Sequence, residues 1–291
     1  MTFVTGSVGA GVLSGLVGLA AGPLITMLVA RPPLLASTVA AGGSGREDDG
    51  GGQDGVGEYG GEPISDLQPG WPFRCLAGGH DLAVGEVIPL VSFLRRRGRC
   101  TCGAAIPRVN PLVEGLAVAA SGLVGLRMAA AWAVPAHVLL ALVLVTVAVI
   151  DGRRHLIPTK VVYPAAAVGF VLLAAAAARY HEWGSLGRSA LAAVAASAFL
   201  WVLVLLVPTG MGQGDARLSL LLGLYLGWQS WRAVYIGLLL GFLAGAIGGL
   251  FLVAKRRLAG ERGAMSAHIA FGPYLAVGTF AVCLWPSLAG G

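Results

Sequence analysis

Charged side chains are scarce in this sequence, since they make up 12% of its 291 residues while 56% are hydrophobic. A soluble domain carries about 25% charged residues. The composition therefore excludes an ordinary soluble domain and predicts a protein embedded in a lipid bilayer. The formal net charge of +6 does not indicate nucleic-acid binding, because the basic residues lie in loops between apolar runs and no nucleic-acid motif is present.

Cysteine is also scarce, with four in the chain. Cys283 lies inside an apolar run, where it is expected to be an inert small side chain. The other three, Cys75, Cys100 and Cys102, fall in a loop that is predicted to be cytosolic. The cytosol keeps thiols reduced, which excludes an extracellular disulfide framework.

Eight apolar runs follow one another along the chain. No basic segment precedes the first run and no clear small-residue cleavage site follows it, which predicts a retained span and not a removed signal peptide. The predicted fold class is an all-α polytopic membrane protein with about eight transmembrane helices, at residues 5–30, 112–128, 134–150, 158–178, 186–207, 218–228, 233–254 and 267–285. The sixth run is shorter than the ~20 residues that a full crossing needs.

The distribution of basic residues predicts the orientation of these helices. With the N-terminus outside and the spans alternating, 16 of the 20 basic residues fall on the inner side. The other four are Arg127, Arg179, Arg188 and Arg232. Because cytosolic loops are enriched in Lys and Arg, this count places the loop after the third span and the loop before the sixth on the cytosolic face.

Composition divides the chain into four parts. Residues 1–30 are the first transmembrane helix. Residues 31–70 contain a low-complexity stretch rich in glycine and acidic side chains, which cannot bury a core and is predicted to be a flexible linker. Residues 71–111 are predicted to form a small cytosolic domain inserted after the first helix, and residues 112–291 the transmembrane core.

Two aspartates border the predicted helices on the inner side. Asp151 ends the third apolar run, and Asp215 follows three alternating glycines, Gly210, Gly212 and Gly214. An ionisable group at or inside a membrane span is costly and indicates a functional site. Glycine permits close packing or a positive φ, so we predict a compact, irregular segment that holds Asp215 near the start of a helix. The two aspartates are predicted to form a pair.

The residues around both aspartates resemble a known family. The letters GQGD at 212–215 match the GxGD signature of intramembrane aspartyl proteases, and the longer segment 210–228 resembles the type IV prepilin peptidase family. Asp151, followed by HLIP at 155–158, is similar to the other aspartate motif of that family. The resemblance covers nearly the whole chain, apart from an insert at 41–61 and the cysteine pattern.

The resemblance implies an aspartic endopeptidase of the bacterial cytoplasmic membrane that removes the leader of prepilins or pseudopilins at the cytosolic face. Asp151 and Asp215 would be the catalytic residues, with Gly212 and Gly214 leaving room for substrate backbone. Hydrolysis by two aspartates needs one ionised partner to take a proton from water and one protonated partner to donate. It needs no cofactor, and the proton belongs to the pair and not to either residue.

Many bacterial members also N-methylate the new N-terminus with S-adenosylmethionine, and longer forms carry two Cys-x-x-Cys pairs that resemble a zinc site. This sequence departs from the pattern, because the corresponding residues are Cys75, His80, Cys100 and Cys102. Zinc accepts a Cys₃His set in tetrahedral geometry, so a structural zinc is one interpretation and a surface histidine the other. Methyl transfer is therefore left open.

Two other classes of function are alternatives. A transporter would also use intramembrane carboxylates, but at mid-bilayer and not at one face. A pilus or secretion assembly protein that has lost catalysis would not need both aspartates. A purely structural alternative is that each aspartate caps a helix or pairs with Arg153, Arg154 or Arg217. The segment IAFGPYL at 269–275 resembles a recurrent family segment, and both substrate contact and simple helix packing are open for it.

Overall fold

The protein is a bundle of α-helices. The computed structural model describes residues 8–30, 94, 97, 109–128, 132–206, 212–258 and 270–289. In these ranges the chain forms eight α-helices and no strand: α1 Val8–Ala30, α2 Val109–Met128, α3 Val134–Arg154, α4 Thr159–Tyr180, α5 Trp183–Leu206, α6 Gln213–Gln229, α7 Trp231–Leu258 and α8 Gly272–Leu284, followed by a short 3₁₀ helix, Pro286–Ala289. The prediction of an all-α polytopic fold with about eight helices is confirmed.

The predicted linker at 31–70 and nearly all of the predicted domain at 71–111 lie outside the described residues. Their boundaries stay predictions. The described residues begin again in α2, which packs along α1. At this contact a Cβ on Gly18 would lie 2.6 Å from the carbonyl oxygen of Ala117, so the two helices approach through small residues.

Helix length and composition fit a multi-pass membrane protein. Six helices, α1 to α5 and α7, are long and apolar enough to cross a bilayer. The other two are shorter, with 17 residues in α6 and 13 in α8. At a rise of 1.5 Å per residue these helices are about 26 Å and about 20 Å long. The hydrocarbon core of a bilayer is about 30 Å thick, so the short sixth helix predicted from the sequence is confirmed and the eighth is shorter than expected.

Two helix boundaries next to the aspartates differ from the sequence prediction. α3 continues past residue 150 to Arg154, so Asp151 lies in its last turn. Basic side chains in a last turn are favourable beside the negative helix end, which accounts for the extension. α6 begins at Gln213 and not at residue 218, so Gly214 and Asp215 are helical. An acidic residue in a first turn is favourable because the start of a helix carries a partial positive charge.

α6 is the central helix of the bundle. All residues from Leu221 to Trp228 are buried. The Tyr225 ring lies edge-on to the His137 ring of α3, with 5.4 Å between the centroids, and its hydroxyl packs against Gly169 of α4. The neighbours of α6 therefore hold it from several sides, and its position in the bundle fixes where Asp215 lies.

The contact between α5 and α6 depends on glycine. A Cβ on Gly223 would lie 2.5 Å from the carbonyl oxygen of Ala192, and one on Gly227 would overlap the Ala192 side chain. The Ser189 hydroxyl donates to the carbonyl oxygen of Leu224 in the same contact. Small residues let membrane helices approach backbone to backbone, where packing replaces the hydrophobic driving force.

Glycine also brings α7 and α8 together. Gly237, Gly241, Gly245 and Gly249 recur at a four-residue spacing that permits close helix packing, and all four are buried. A Cβ on Gly241 would lie 2.9 Å from the Cα of Leu275 in α8. The contact anchors the part of α8 next to Asp151.

Arg188 of α5 satisfies the carbonyl end of α6. Its Nε donates to the carbonyl oxygen of Gly227 at 2.8 Å, and its Nη2 to those of Trp228 at 2.9 Å and Gln229 at 3.2 Å. The last four carbonyls of a helix have no partner within the helix, and a cation there also opposes the helix dipole. Arg188 therefore ties the end of α6 to α5.

We expect Arg188→Ala to lower the free energy of unfolding by about 2–4 kcal/mol, because hydrogen bonds to charged groups contribute about 1.5–3 kcal/mol each and water replaces part of them. Thermal unfolding of the purified protein in detergent measures this loss. Arg179→Ala is the matched control, since that arginine is exposed in the last turn of α4 on the same side of the bundle. Equal melting temperatures for both variants would contradict the capping role.

Candidate active site

Asp151 lies in the last turn of α3 and is only 5% exposed. Its main-chain carbonyl accepts the N–H of His155, which ends the helix in a left-handed conformation at φ 50°. Its side-chain Oδ2 accepts the backbone N–H of Gly272 at 2.9 Å. A buried carboxylate is thus held by the first residue of α8, which is distant in sequence.

Asp215 lies in the first turn of α6 and is 6% exposed. The carboxylate lies near the backbone N–H of Gly212, the residue before the helix. Its Oδ1 is buried and has no hydrogen-bond partner among the described residues. That oxygen is therefore not used by the fold in the described part of the chain.

The structure brings the two aspartates together, with their carboxylates close enough to interact electrostatically. α8 contacts both α3 and α6, and its first residue binds Asp151 at the end of α3. Of the three arginines considered as ion-pair partners, Arg217 donates to the Thr159 hydroxyl at 3.0 Å instead. The structural alternative of helix capping or ion pairing does not account for the proximity of the two carboxylates.

The two glycines before Asp215 have different surroundings. Gly212 is exposed and extended, with φ −76° and ψ 141°. Gly214 is helical, and a Cβ there would lie 2.9 Å from the Cβ of Ile157. Gly214 therefore lets α6 approach the turn between α3 and α4. The expectation that both leave room for a substrate backbone stays a prediction, and Gly210 lies outside the described residues.

Gly272 is the site residue that the sequence did not single out. It belongs to the segment 269–275, for which substrate contact and helix packing were both open. A Cβ on Gly272 would lie 2.6 Å from Oδ2 of Asp151. The one local signal was a glycine directly before Pro273 at the start of an apolar helix, where a proline in the first turn marks a helix start.

The four residues of the candidate zinc site, Cys75, His80, Cys100 and Cys102, lie outside the described residues. In the part of the chain that is described, no three His, Cys, Asp or Glu side chains are grouped closely enough to bind a metal. Zinc binding stays a prediction. Cys283 is a buried free thiol in α8, as its place in an apolar run predicted.

Comparison with known proteins gives the same family twice. The model of the type IV leader peptidase family matches residues 138–253, which include both aspartates, and that of the bacterial peptidase A24 N-terminal domain matches residues 16–128. No solved structure gives a match.

Curated relatives match over most of the chain. The prepilin leader peptidase/N-methyltransferase of Aeromonas hydrophila is 37% identical over 219 residues, covering 72% of this chain and 70% of the relative. The proteins of the same name from Aeromonas salmonicida and Pseudomonas aeruginosa are 36% and 33% identical with the same coverage. The two family matches, the relatives above 30% identity and the aspartate pair agree: the chain belongs to the type IV leader peptidase family.

Proposed function

We propose that the protein is a membrane aspartic endopeptidase that removes the leader peptide of type IV prepilins or pseudopilins, with Asp151 and Asp215 as its catalytic residues. The observation that carries the proposal is the meeting of two buried carboxylates from the end of α3 and the start of α6. The names of the relatives supply the substrate class. Burial and proximity are the conditions under which two carboxyl groups share one proton.

The pair supplies both functions that peptide hydrolysis needs. One carboxylate takes a proton from a water molecule, whose oxygen then attacks the carbonyl carbon of the scissile bond, while the other carboxyl gives its proton to the carbonyl oxygen. In the second step the C–N bond breaks, the leaving nitrogen takes the proton from the first aspartate, and the second regains its own. Each aspartate ends in its starting state, so no cofactor is consumed.

The site lies at the face that the positive-inside distribution assigns to the cytosol. The exposed Arg153 and Arg154 follow Asp151, and Lys255 lies in the last turn of α7 at the same end of the bundle. We infer that the leader is cut on the cytosolic side of the bacterial inner membrane, while the apolar helix of the substrate lies among the helices. This placement favours a peptidase over a transporter, which would place its carboxylates at mid-bilayer.

The relatives' names include N-methyltransferase, an activity that would use S-adenosylmethionine. We propose that this second activity, if the chain has it, depends on the predicted domain at 71–111, with a zinc bound by Cys75, His80, Cys100 and Cys102. All four residues lie outside the described part of the chain. Neither zinc nor S-adenosylmethionine takes part in the proposed hydrolysis, because its acid and base are side chains of α3 and α6.

Incubation of a purified prepilin with the protein in liposomes tests the proposal. We expect release of the intact leader and of a shortened pilin, both identified by mass spectrometry, with the cut at one peptide bond. The same liposomes with a pH-sensitive dye inside test the transporter alternative. Proton flux that depends on Asp151 and Asp215, together with failure to cleave several prepilins, would favour that alternative instead.

A further inference from the structure

The backbone of α8 contacts the candidate dyad at one atom pair. The N–H of Gly272 donates to Oδ2 of Asp151 in a buried setting. Gly272 is the first residue of its helix, so its N–H has no partner within α8 and is free to bind a side chain. The same helix end carries a partial positive charge, which favours a negative group beside it.

This contact requires glycine. A Cβ on Gly272 would lie 2.6 Å from Oδ2 and 3.1 Å from Cγ of Asp151, so any side chain would displace the carboxylate. The helix is also held in place, because Leu275 packs against Gly241 and Gly278 packs on the backbone of the same glycine. The ring of Pro273, the residue directly after Gly272, restricts its own φ angle. The donor is therefore preorganised before substrate binds.

The second aspartate is in a different electrostatic position. Asp215 has a buried Oδ1 that has no donor among the described residues. Among those residues, no buried oxygen of Asp151 lacks a hydrogen-bond partner. A negative charge on a buried oxygen without a donor is costly, whereas a protonated carboxyl avoids that cost. When one proton is shared, Asp215 is the better place for it.

We propose that Gly272 is a positioning residue that fixes Asp151 as the ionised base, so that Asp215 holds the proton and acts as the acid. This assignment rests on the proposed peptidase function and gives each carboxyl its role. Asp151 takes the proton of the attacking water and returns it to the leaving nitrogen as the C–N bond breaks. Asp215 gives its proton to the carbonyl oxygen and takes it back when the intermediate collapses.

Few other charged or titratable groups face Asp151. Asp215 faces it from α6, and His155 interacts with it electrostatically from the end of α3. Arg153 and Lys160 are exposed, and Arg217 is directed to Thr159. On α8 the Tyr274 hydroxyl packs against Gly248 of α7. The hydrogen bond from Gly272 is therefore the main contact on this carboxylate that one substitution can remove without changing a charge.

Gly272→Ala tests the assignment in a cleavage assay that measures kcat and KM across pH. We expect kcat to fall about 100-fold, because a displacement of about 1 Å at a catalytic group has an effect of that order, while KM stays within about threefold. The acidic limb of the pH–rate profile should move up by about one pH unit, since a hydrogen bond that favours the charged form is weakened. A change in structure alone would not move that limb.

Two glycine variants serve as controls. Gly152 lies next to Asp151, but a Cβ added there would meet only the ring of Pro273 at 4.0 Å. We therefore expect Gly152→Ala to have the wild-type kcat and an unchanged pH–rate profile. Gly18→Ala disturbs the contact between α1 and α2, where the added Cβ would lie 2.6 Å from the carbonyl oxygen of Ala117, so it should lower stability and leave the pH profile in place. An equal pH shift in Gly18→Ala, or wild-type kinetics in Gly272→Ala, would overturn the assignment.

A second comparison decides the matter if Gly272→Ala does not accumulate in membranes. Asparagine at 215 can still donate a hydrogen bond to the carbonyl oxygen, whereas asparagine at 151 cannot take a proton from water. Asp215→Asn should therefore retain about tenfold more residual activity than Asp151→Asn. Equal or reversed residual rates would contradict the assignment, and wild-type rates in both would contradict the proposed function itself.

Discussion

Asp151→Asn and Asp215→Asn are each expected to lower kcat for leader cleavage at least about 1,000-fold. General acid–base groups contribute about 100- to 10,000-fold each, and in a shared-proton pair the loss of one partner also disables the other. Asparagine keeps the size of the side chain and removes its ability to exchange a proton. Single-turnover cleavage of a prepilin in liposomes, with the protein amount measured by quantitative blotting, gives the rates.

The control for this prediction is Glu182→Gln. Glu182 lies between α4 and α5, at the opposite end of the bundle from the aspartate pair. Its replacement by glutamine makes the same change from a carboxylate to an amide. We expect its cleavage rate to equal that of the wild type. An Asp151→Asn or Asp215→Asn protein that is present at normal amounts and keeps more than about a tenth of the wild-type rate would exclude a two-aspartate mechanism.

The largest expected loss of stability follows from adding a branched side chain at Gly223. A Cβ there would lie 2.5 Å from the Ala192 carbonyl oxygen and 2.9 Å from the Cα of Ala193, both of them backbone atoms that cannot move aside alone. Gly223→Val should therefore separate α5 from α6 and lower the free energy of unfolding by at least about 3 kcal/mol. Because α6 carries Asp215, cleavage should fall together with stability. Thermal unfolding and cleavage, measured on the same preparation, test this prediction.

Gly187→Val is the matched change on the partner helix. Gly187 is exposed in α5, and a Cβ there would meet no atom within 4 Å. We expect this variant to unfold at or above the wild-type temperature, because glycine is a poor residue inside a helix. A Gly223→Val protein as stable as Gly187→Val would mean that the two helices do not approach as closely as the structure shows.

The helix count and the meeting of the aspartates could be predicted from the sequence because both follow from the bilayer. Apolar runs of membrane-spanning length must be helical, since no water satisfies their backbone groups. Successive spans alternate in direction, so the end of the third helix and the start of the sixth come to one face of the bundle. Asp151 and Asp215 therefore share that face, and two costly ionisable groups placed alike indicate a pair.

The local geometry of the pair could not be predicted in the same way. Whether Asp151 ends a helix or lies inside its last turn depends on residues 152–154, which suit both states. The packing of Gly214 on Ile157 and the contact of Gly272 with Asp151 join segments that are far apart in sequence. A glycine before a proline predicts where a helix starts, but only the packing of α8 between α3 and α6 shows which side chain its N–H meets.

Asp151 and Asp215 are proposed to work as one unit, and the cleavage rates of the wild type, the two asparagine variants and the double variant test this. Groups that act together give strongly non-additive losses. We predict that Asp151→Asn/Asp215→Asn loses no more activity than Asp151→Asn alone. A double variant whose loss equals the product of the two single losses would show that the aspartates act independently, and would contradict the shared-proton pair.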